Sequence, residues 1–389
     1  MWGMTWTVKV SKLCNLRCRY CYEWNDLDNP IRLTFSEWTK VLIAIAEQHN
    51  RQASRFGERG RSYIVWHGGE PLLLSPGYFE DVIRLQREIL PAGCLWRGDI
   101  RNVLQTNLYK LQDEHLEMLE RQRFEIVVSL DDVPGVRVTA AGVDSQGTVL
   151  ANLARVLERQ IPVTGAVVLA SHTKGRLMDI YRQFRQWNVP FRVNPITPAP
   201  PSAPISGLML SEAEMTDALG ELFVYWLDSG AALWVEPLFS ALQTVLLRMT
   251  GLERRPYRRR QDGDSRIIVD TDGTLYASLD RYVVGHAMGN IFTQPLVDII
   301  EGSAYEASLQ REEQRVQIRC ASCHYQGPCN SIPLTQSSYE ARQEGCGVYA
   351  GLCRFIESFL RDDGLDESEL GHLMPIGAEG WSINPLVAL

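Results

Sequence analysis

Cys14-Asn15-Leu16-Arg17-Cys18-Arg19-Tyr20-Cys21 is the stretch on which the reading of the whole chain turns. Three thiols fall within eight residues, separated by steps of four and then three positions. They follow Thr5–Val10, an alternating apolar run that reads as a strand. A loop of this span can wrap one metal cluster and turn three thiolates onto it. Four irons ordinarily take four cysteines, so three leave a cubane [4Fe–4S] cluster with one iron open. An open iron is a place for a small molecule, much as a catalytic zinc keeps an open position. A zinc knuckle and simple thiol packing are the alternatives. The spacing, and the aromatic Tyr20 between the last two cysteines, favour the cluster.

Composition narrows the class. At 389 residues the chain has room for two domains, or for one large domain with an extension. Its 45% apolar content suits a globular protein, and no apolar run is long enough to span a bilayer. Lys9 and Lys12 are followed by cysteines and charges rather than an apolar core, so no signal peptide is expected. A net charge of −8 gives no support for a nucleic-acid surface. Of nine cysteines, eight fall in two groups, which favours metal ligation in a reducing cytoplasm over a disulfide framework.

At Cys14, Cys18 and Cys21 the sequence resembles the radical S-adenosylmethionine (SAM) enzymes, whose motif is three cysteines at this spacing with an aromatic, here Tyr20, before the third. The resemblance implies that the open iron chelates the amino and carboxylate groups of SAM. It also implies that the reduced cluster cleaves the sulfonium, and that the resulting 5′-deoxyadenosyl radical takes hydrogen from substrate. The cofactor supplies that chemistry; the protein positions it and excludes water.

Residues 5–200 alternate short apolar runs with amphipathic stretches. Strands are predicted at Thr5–Val10, Tyr63–Trp66, Ile100–Gln105, Phe124–Ser129, Thr164–Leu169 and Phe191–Val193. Helices are predicted near 35–49, 76–89, 112–121, 147–158 and 174–187, with Thr34 and Glu37 at capping-box spacing. The alternation implies an α/β fold of parallel strands with crossover helices. Six strands are too few for a closed eight-fold barrel, so the prediction is a partial (β/α)6 barrel with its site at the C-terminal strand ends. It is followed by a C-terminal α+β iron–sulfur extension. The expected segments are a barrel over 1–205, bridging helices over 206–262 and the extension over 263–389.

The second strand runs into Trp66-His67-Gly68-Gly69-Glu70-Pro71. Two glycines let backbone approach a ligand, and a carboxylate can accept from an ammonium. The stretch resembles the family's GGEP motif, which implies that Gly68, Gly69 and Glu70 line SAM. His67 reads as a packed histidine or as a ligand. The resemblance also suggests Asn107 for the ribose and Ser129 for the methionine carboxylate. It further suggests Arg137 as the arginine matching the family's His-Asp-x-x-Arg stretch, and Leu169 as a contact to adenine. By themselves Asn107 reads as a turn residue and Leu169 as core.

Residues 194–206 read as a Pro-rich linker, followed by helices from Ser211 to about 228 and over 237–250. Arg254-Arg255-Pro256-Tyr257-Arg258-Arg259-Arg260 is either a solvated loop or a dock for acidic peptide side chains. A hairpin is predicted at Arg266–Val269 and Thr274–Ala277, then Leu279-Asp280-Arg281 and Gly289-Asn290-Ile291. This region is similar to the start of the SPASM-type (or twitch-like) extension of peptide-modifying radical SAM enzymes. Cys320, Cys323 and Cys329 match the core of that pattern, while Ser278 and Pro333 stand where further cysteines occur in relatives. One auxiliary [4Fe–4S] cluster is therefore expected, held by Cys320, Cys323, Cys329 and either Cys346 or Cys353. That makes two clusters in all. Structural zinc is the alternative, since thiolates suit both metals. Cys94 reads as a packed thiol.

These residues predict a maturase that crosslinks a ribosomally made precursor peptide, drawing electrons from a flavodoxin- or ferredoxin-like donor. Asp280 is expected as its catalytic base, in the position where sulfatase maturases carry a similar Asp. An anaerobic sulfatase maturase and a catalytically silent iron–sulfur sensor are the alternatives. With thirteen residues before Cys14, no N-terminal leader-binding domain is expected.

Overall fold

Alternation along the first strand sets the architecture. In β1 (Trp2–Ser11), Trp6, Val8 and Val10 are fully buried on one side, while Thr5, Thr7 and Lys9 face the other. The computed structural model describes residues 2–57, 60–196, 204–252, 266–277, 285–329 and 346–362. Further strands are β2 (Leu16–Cys18), β3 (Gly60–Gly68), β4 (Ile100–Thr106), β5 (Glu125–Ser129), β6 (Arg137–Thr139), β7 (Val163–Leu169) and β8 (Phe191–Pro195). The remaining described strands are β9 (Val235–Glu236), β10 (Arg266–Val269), β11 (Thr274–Tyr276) and β12 (Gly289–Asn290). The six predicted strands are β1, β3, β4, β5, β7 and β8, adjacent in that order and parallel throughout.

Helices α1 (Phe35–Phe56), α2 (Pro76–Ile89), α4 (Asp113–Arg121), α5 (Gln146–Glu158) and α6 (Leu177–Trp187) are the crossovers, with a four-residue turn, α3 (Cys94–Arg97), before β4. The predicted cap of α1 forms: Glu37 N–H donates to Thr34 Oγ1 at 3.3 Å, and Thr34 N–H donates to Glu37 Oε2 at 2.7 Å. Such a cap is worth about 1 kcal/mol. Trp38, Trp66 and Phe79 meet in the core between α1, β3 and α2, at ring separations of 4.8 and 4.9 Å. Tyr63, Val65, Val103, Val127 and Ala166 make a second, small apolar cluster on the opposite face, inside the curve of the sheet.

The sheet is longer than predicted, with ten strands in the order β12-β11-β10-β1-β3-β4-β5-β7-β8-β9. The hairpin of the extension is not a free unit: β10 pairs in parallel with β1, Thr5 opposite Arg266 and Val8 opposite Val269. At the other edge, β9 adds to β8. The expected segments thus share one sheet. Helices α7 (Glu212–Asp228) and α8 (Leu238–Met249) follow the barrel, and Gly347–Asp362 is a further helix packed on α7. That packing is close enough that a Cβ on Gly351 would lie 2.6 Å from Thr216 Oγ1. No described helix is long and apolar enough to cross a membrane.

Candidate active site

The cysteine loop sits on the face formed by the C-terminal strand ends, as predicted. Its middle is itself a strand, which the sequence reading missed. β2 pairs antiparallel with β6, and Cys18 lies opposite Arg137. That pairing brings Arg137 to the site: its Nη1 is 3.7 Å from Cys18 Sγ and its Nε donates to Asp131 Oδ2 at 3.2 Å. The guanidinium also lies over the Tyr20 ring, 5.5 Å from its centroid. Tyr20 donates its hydroxyl to Asp131.

Asp131 is the hub of this group. It is 1% exposed, and its Oδ1 accepts from the Val168 N–H at 2.9 Å. Burial alone would raise its carboxyl, but Arg137, His172, Tyr20 and the Val168 amide outweigh burial and hold it down to about 2. His172, just beyond β7, stacks on Tyr20 with centroids 5.7 Å apart. Its Nε2 stands 3.6 Å from Asp131 Oδ2, a long and weak polar contact. Both residues escaped notice as site members. Asp131 stands two residues after Ser129 with nothing local to single it out, and His172 likewise has no local pattern to mark it.

Gly68 and Gly69 do something the motif does not state. A Cβ on Gly68 would fall 2.0 Å from the Ser11 carbonyl oxygen, and one on Gly69 would fall 2.3 Å from the carbonyl oxygens of Lys12 and Leu13. Gly68 also has φ +127°, which favours glycine. The two glycines let the end of β3 fasten to the start of the cysteine loop. The Gly69 N–H donates to Ser11 O at 2.8 Å and the Glu70 N–H to Leu13 O at 2.9 Å. Glu70 is 1% exposed. It accepts from Leu72 N–H (2.9 Å), Thr106 Oγ1 (2.6 Å) and Asn107 N–H (2.7 Å). Burial raises its carboxyl against these three bonds. A carboxylate offers about four acceptor positions, so one remains for a ligand ammonium.

Asn107 reaches the cysteines. Its Nδ2 donates to Asn15 Oδ1 at 3.0 Å and approaches Cys14 Sγ at 3.9 Å. Ser129 ends β5 on the inner face. Leu169 does not face the site: it is fully buried in the main core, and Val168 is the β7 residue that points inward. Packing is thus its role in the described structure, because strand alternation turns it outward. His67 stacks on Tyr22, with Nε2 3.3 Å from the Tyr22 hydroxyl.

The residues suit a cluster. Burial, the largest influence, pushes the Cys14 and Cys18 thiols up and Cys21 to about 12, so a metal charge is needed to hold three thiolates here. Donors already face the sulfurs: the Leu16 N–H lies 3.5 Å from Cys14 Sγ, with Asn107 and Arg137 as described. Hydrogen bonds to cluster sulfurs are one way a protein tunes such a centre. Among the described residues no three His, Cys, Asp or Glu side chains converge as a single-ion site would. A cubane needs no such convergence, since each thiolate binds a different iron.

A second thiol group surrounds one cavity, lined by Cys320, Cys323, Cys329, Cys346 and Cys353 with Tyr325 and Tyr349. Cys320 ends the helix Ser303–Cys320, and the chain turns there, with the Cys323 N–H donating to Cys320 O at 3.0 Å. Tyr325 pins the loop by donating to Glu357 Oε2 at 2.8 Å. Burial, then Cys329, Cys323 and Cys320, push the Cys346 thiol up to about 12, which sets Cys346 among the other three. Cys353 is fully buried with Leu352, Ile356 and Leu360. Cys94 is buried, as predicted for a packed thiol. Ser278, Asp280, Pro333 and the basic run Arg254–Arg260 lie outside the described residues.

Residues 8–184 match the radical SAM superfamily, and residues 261–324 match the SPASM iron–sulfur cluster-binding domain. The chain is a radical SAM enzyme with a SPASM extension. Its cofactors are SAM and [4Fe–4S] clusters. The enzyme is 22% identical over 327 residues to the cysteine-type anaerobic sulfatase-maturating enzyme of Clostridium perfringens (strain 13 / Type A), covering 81% of this chain and 84% of that protein. It is 23% identical over 364 residues to the serine-type anaerobic sulfatase-maturating enzyme of Klebsiella pneumoniae, covering 90% and 86%. It shares its fold with native anSMEcpe bound to AdoMet and the Cp18Cys peptide. There the TM-score is 0.68 at 18% identity, over 93% of this chain and 98% of the other. Streptococcus suis SuiB bound to precursor peptide SuiA also shares the fold, at TM-score 0.59 and 15% identity over 86% and 73%.

Proposed function

We propose that the enzyme is a maturase acting on a ribosomally made precursor peptide, and that it installs a crosslink between nearby side chains. The observation that carries this reading is a cavity lined by Cys320, Cys323, Cys329, Cys346 and Cys353, in the same chain as a radical SAM motif. Relatives that use two auxiliary clusters have cysteines where this chain has Ser278 and Pro333. In this reading Cys14, Cys18 and Cys21 hold the SAM cluster, and Cys320, Cys323, Cys329 and Cys346 hold one auxiliary cluster. When bound, SAM and its cluster supply the radical that takes hydrogen from the substrate. The chain's own residues position that event. Arg137 and Asn107 face the cluster sulfurs, Glu70 offers an acceptor for the SAM ammonium, and Asp131 holds Tyr20 and Arg137 in place. Asp280 takes the proton that leaves when the new bond forms, and a flavodoxin- or ferredoxin-like protein supplies the reducing electron.

A second reading, oxidation of Ser or Cys to formylglycine, is favoured by the sulfatase-maturating relatives. Reconstituted enzyme with SAM, reductant and the peptide encoded beside it separates the two. A peptide short of two hydrogens, inert to an aldehyde-trapping hydroxylamine and resistant to fragmentation between two residues, supports the crosslink. Trapping of an aldehyde supports formylglycine. No 5′-deoxyadenosine under any condition would sink both.

A further inference from the structure

Arg192 is a buried cation that nothing above uses. It lies in β8 between Phe191 and Val193, both packed into the main core, so alternation turns its side chain to the inner face of the barrel. It is 6% exposed, and its Nε and Nη1 are buried with no hydrogen-bond partner among the described residues. The charged and titratable neighbours do not neutralise it. Burial and the positive Arg266 pull its guanidinium down to about 10, and among the described residues Tyr22 acts the other way. Glu236, opposite it on β9, is taken up by Trp234 Nε1 at 3.2 Å and Ser240 Oγ at 2.9 Å.

Its position in the barrel is informative. Ser129 pairs with Ala166, and Ala166 pairs with Arg192, so the three share one rung of the sheet. Two strand spacings separate Arg192 from Ser129, about 10 Å. That rung is at the end of β5, level with the candidate SAM site. Ala166 between them has a side chain too short to fill the space beside the guanidinium. Buried polar groups are almost always partnered, and a guanidinium is built to grip a carboxylate with two parallel N–H donors.

We propose that Arg192 is a carboxylate-binding subsite inside the barrel that anchors an acidic group of the peptide substrate beside the reacting position. The peptide part of this inference rests on the reading under Proposed function. The carboxylate belongs either to an Asp or Glu side chain or to a peptide C-terminus. Both present the same planar pair of oxygens, and both bring the negative charge that would match the unbonded Nε and Nη1 of Arg192. Once seated, that anchor fixes which neighbouring residue lies near Ser129 and therefore near SAM.

The test uses the full chain, reconstituted and loaded with SAM, and calorimetric titration with three probes. N-acetylglycine carries a terminal carboxylate, N-acetylaspartic acid α-amide a side-chain carboxylate, and N-acetylglycinamide neither. At least one acid should bind the wild type, the neutral amide should not, and the acid that binds identifies the source. Arg192→Met should weaken that binding at least tenfold. Arg192→Lys should weaken it less, since it keeps charge but loses the fork. Arg192→Met should also raise the unfolding temperature, because it removes a buried charge that lacks a partner. Cluster absorbance and circular dichroism report whether each variant folds. Failure of both acids to bind the wild type would overturn the proposal, as would equal binding by Arg192→Met. A fall in unfolding temperature for Arg192→Met would also overturn it, by showing that a carboxylate of the chain itself holds Arg192. Arg192-dependent acid binding without peptide modification would instead fault the peptide reading alone.

Discussion

Asp131→Asn is the sharpest probe of the candidate active site. Asparagine keeps the shape, can still accept from the Val168 N–H through Oδ1, and can donate from Nδ2 to the Tyr20 hydroxyl oxygen. It cannot neutralise Arg137, whose side chain is only 13% exposed. Removing one partner of a buried ion pair costs about 3–5 kcal/mol, because the other charge is left stranded. The acid side gives a smaller, independent figure. A carboxyl held from 3.8 down to about 2 contributes about 2 kcal/mol to the fold at neutral pH. The excess of the first figure over the second is the cost of the orphaned guanidinium. Because the folded value is lowered, the contribution is present above 3.8 and lost as pH falls through about 2. Urea unfolding of cluster-free protein should therefore show Asp131→Asn less stable by 2–5 kcal/mol. The gap should be flat between roughly pH 8 and 5 and narrow only below about 4. With Arg137 and Tyr20 unmoored, 5′-deoxyadenosine formation by the reconstituted variant should fall at least tenfold. An unchanged unfolding midpoint at pH 7 would refute the reasoning. A gap already decaying between about pH 7 and 5 would also refute it, since it would trace the effect to a histidine charge.

Replacing Cys14, Cys18 and Cys21 together with Ala should remove one cluster and all SAM cleavage; retained cleavage would refute their assignment. Two [4Fe–4S] clusters predict about eight irons per chain, and Mössbauer spectroscopy with iron analysis near twelve or near four would contradict that. Cys346→Ala should lose the auxiliary cluster, whereas Cys353→Ala should keep it and cost about 1–2 kcal/mol as a lost core contact; the reverse pattern would exchange their roles. Asp280→Asn should still cleave SAM and exchange hydrogen with the peptide but yield little modified product, and a wild-type yield would return Asp280 to a structural role.

The parts of this molecule that the sequence revealed are those written in local patterns. The six barrel strands and their helices follow from period-2 and period-3.6 apolar repeats, and Cys14, Cys18 and Cys21 from spacing alone. What escaped was set by distant partners. β9 has two residues, too few to show a period. β10 read as half of a hairpin, but its pairing with β1 depends on an edge 261 residues away in sequence, Thr5 opposite Arg266. Leu169 read as an adenine contact or as core, and strand parity, which depends on where β7 starts, settles its direction. Asp131 and His172 have meaning only once β6 has folded back against β2. Arg192 looked like one polar residue in a short strand; its isolation is a property of everything that does not reach it.

The pairing of β10 with β1 also changes how the extension relates to the radical site. Parallel to β1, β10 ends at the level where β1 gives way to the cysteine loop, so its turn at Asp270–Gly273 stands beside that loop. Thr271 donates to the Lys9 carbonyl at 3.1 Å, and Lys12 lies between Asp26 at 3.1 Å and Asp270 at 3.9 Å. Beneath them Lys9 is buried against Glu23. A loop that must carry three thiolates is thus pinned at its base by two lysines whose counter-charges come partly from the loop and partly from the extension. Loss of the hairpin would strip Lys12 of Asp270 and leave β1 as an open edge, a site for unwanted pairing. The SPASM hairpin thus buttresses the base of the cysteine loop. The placement of Leu13 and Cys14, which follow Lys12 directly, therefore rests in part on contacts that the extension supplies.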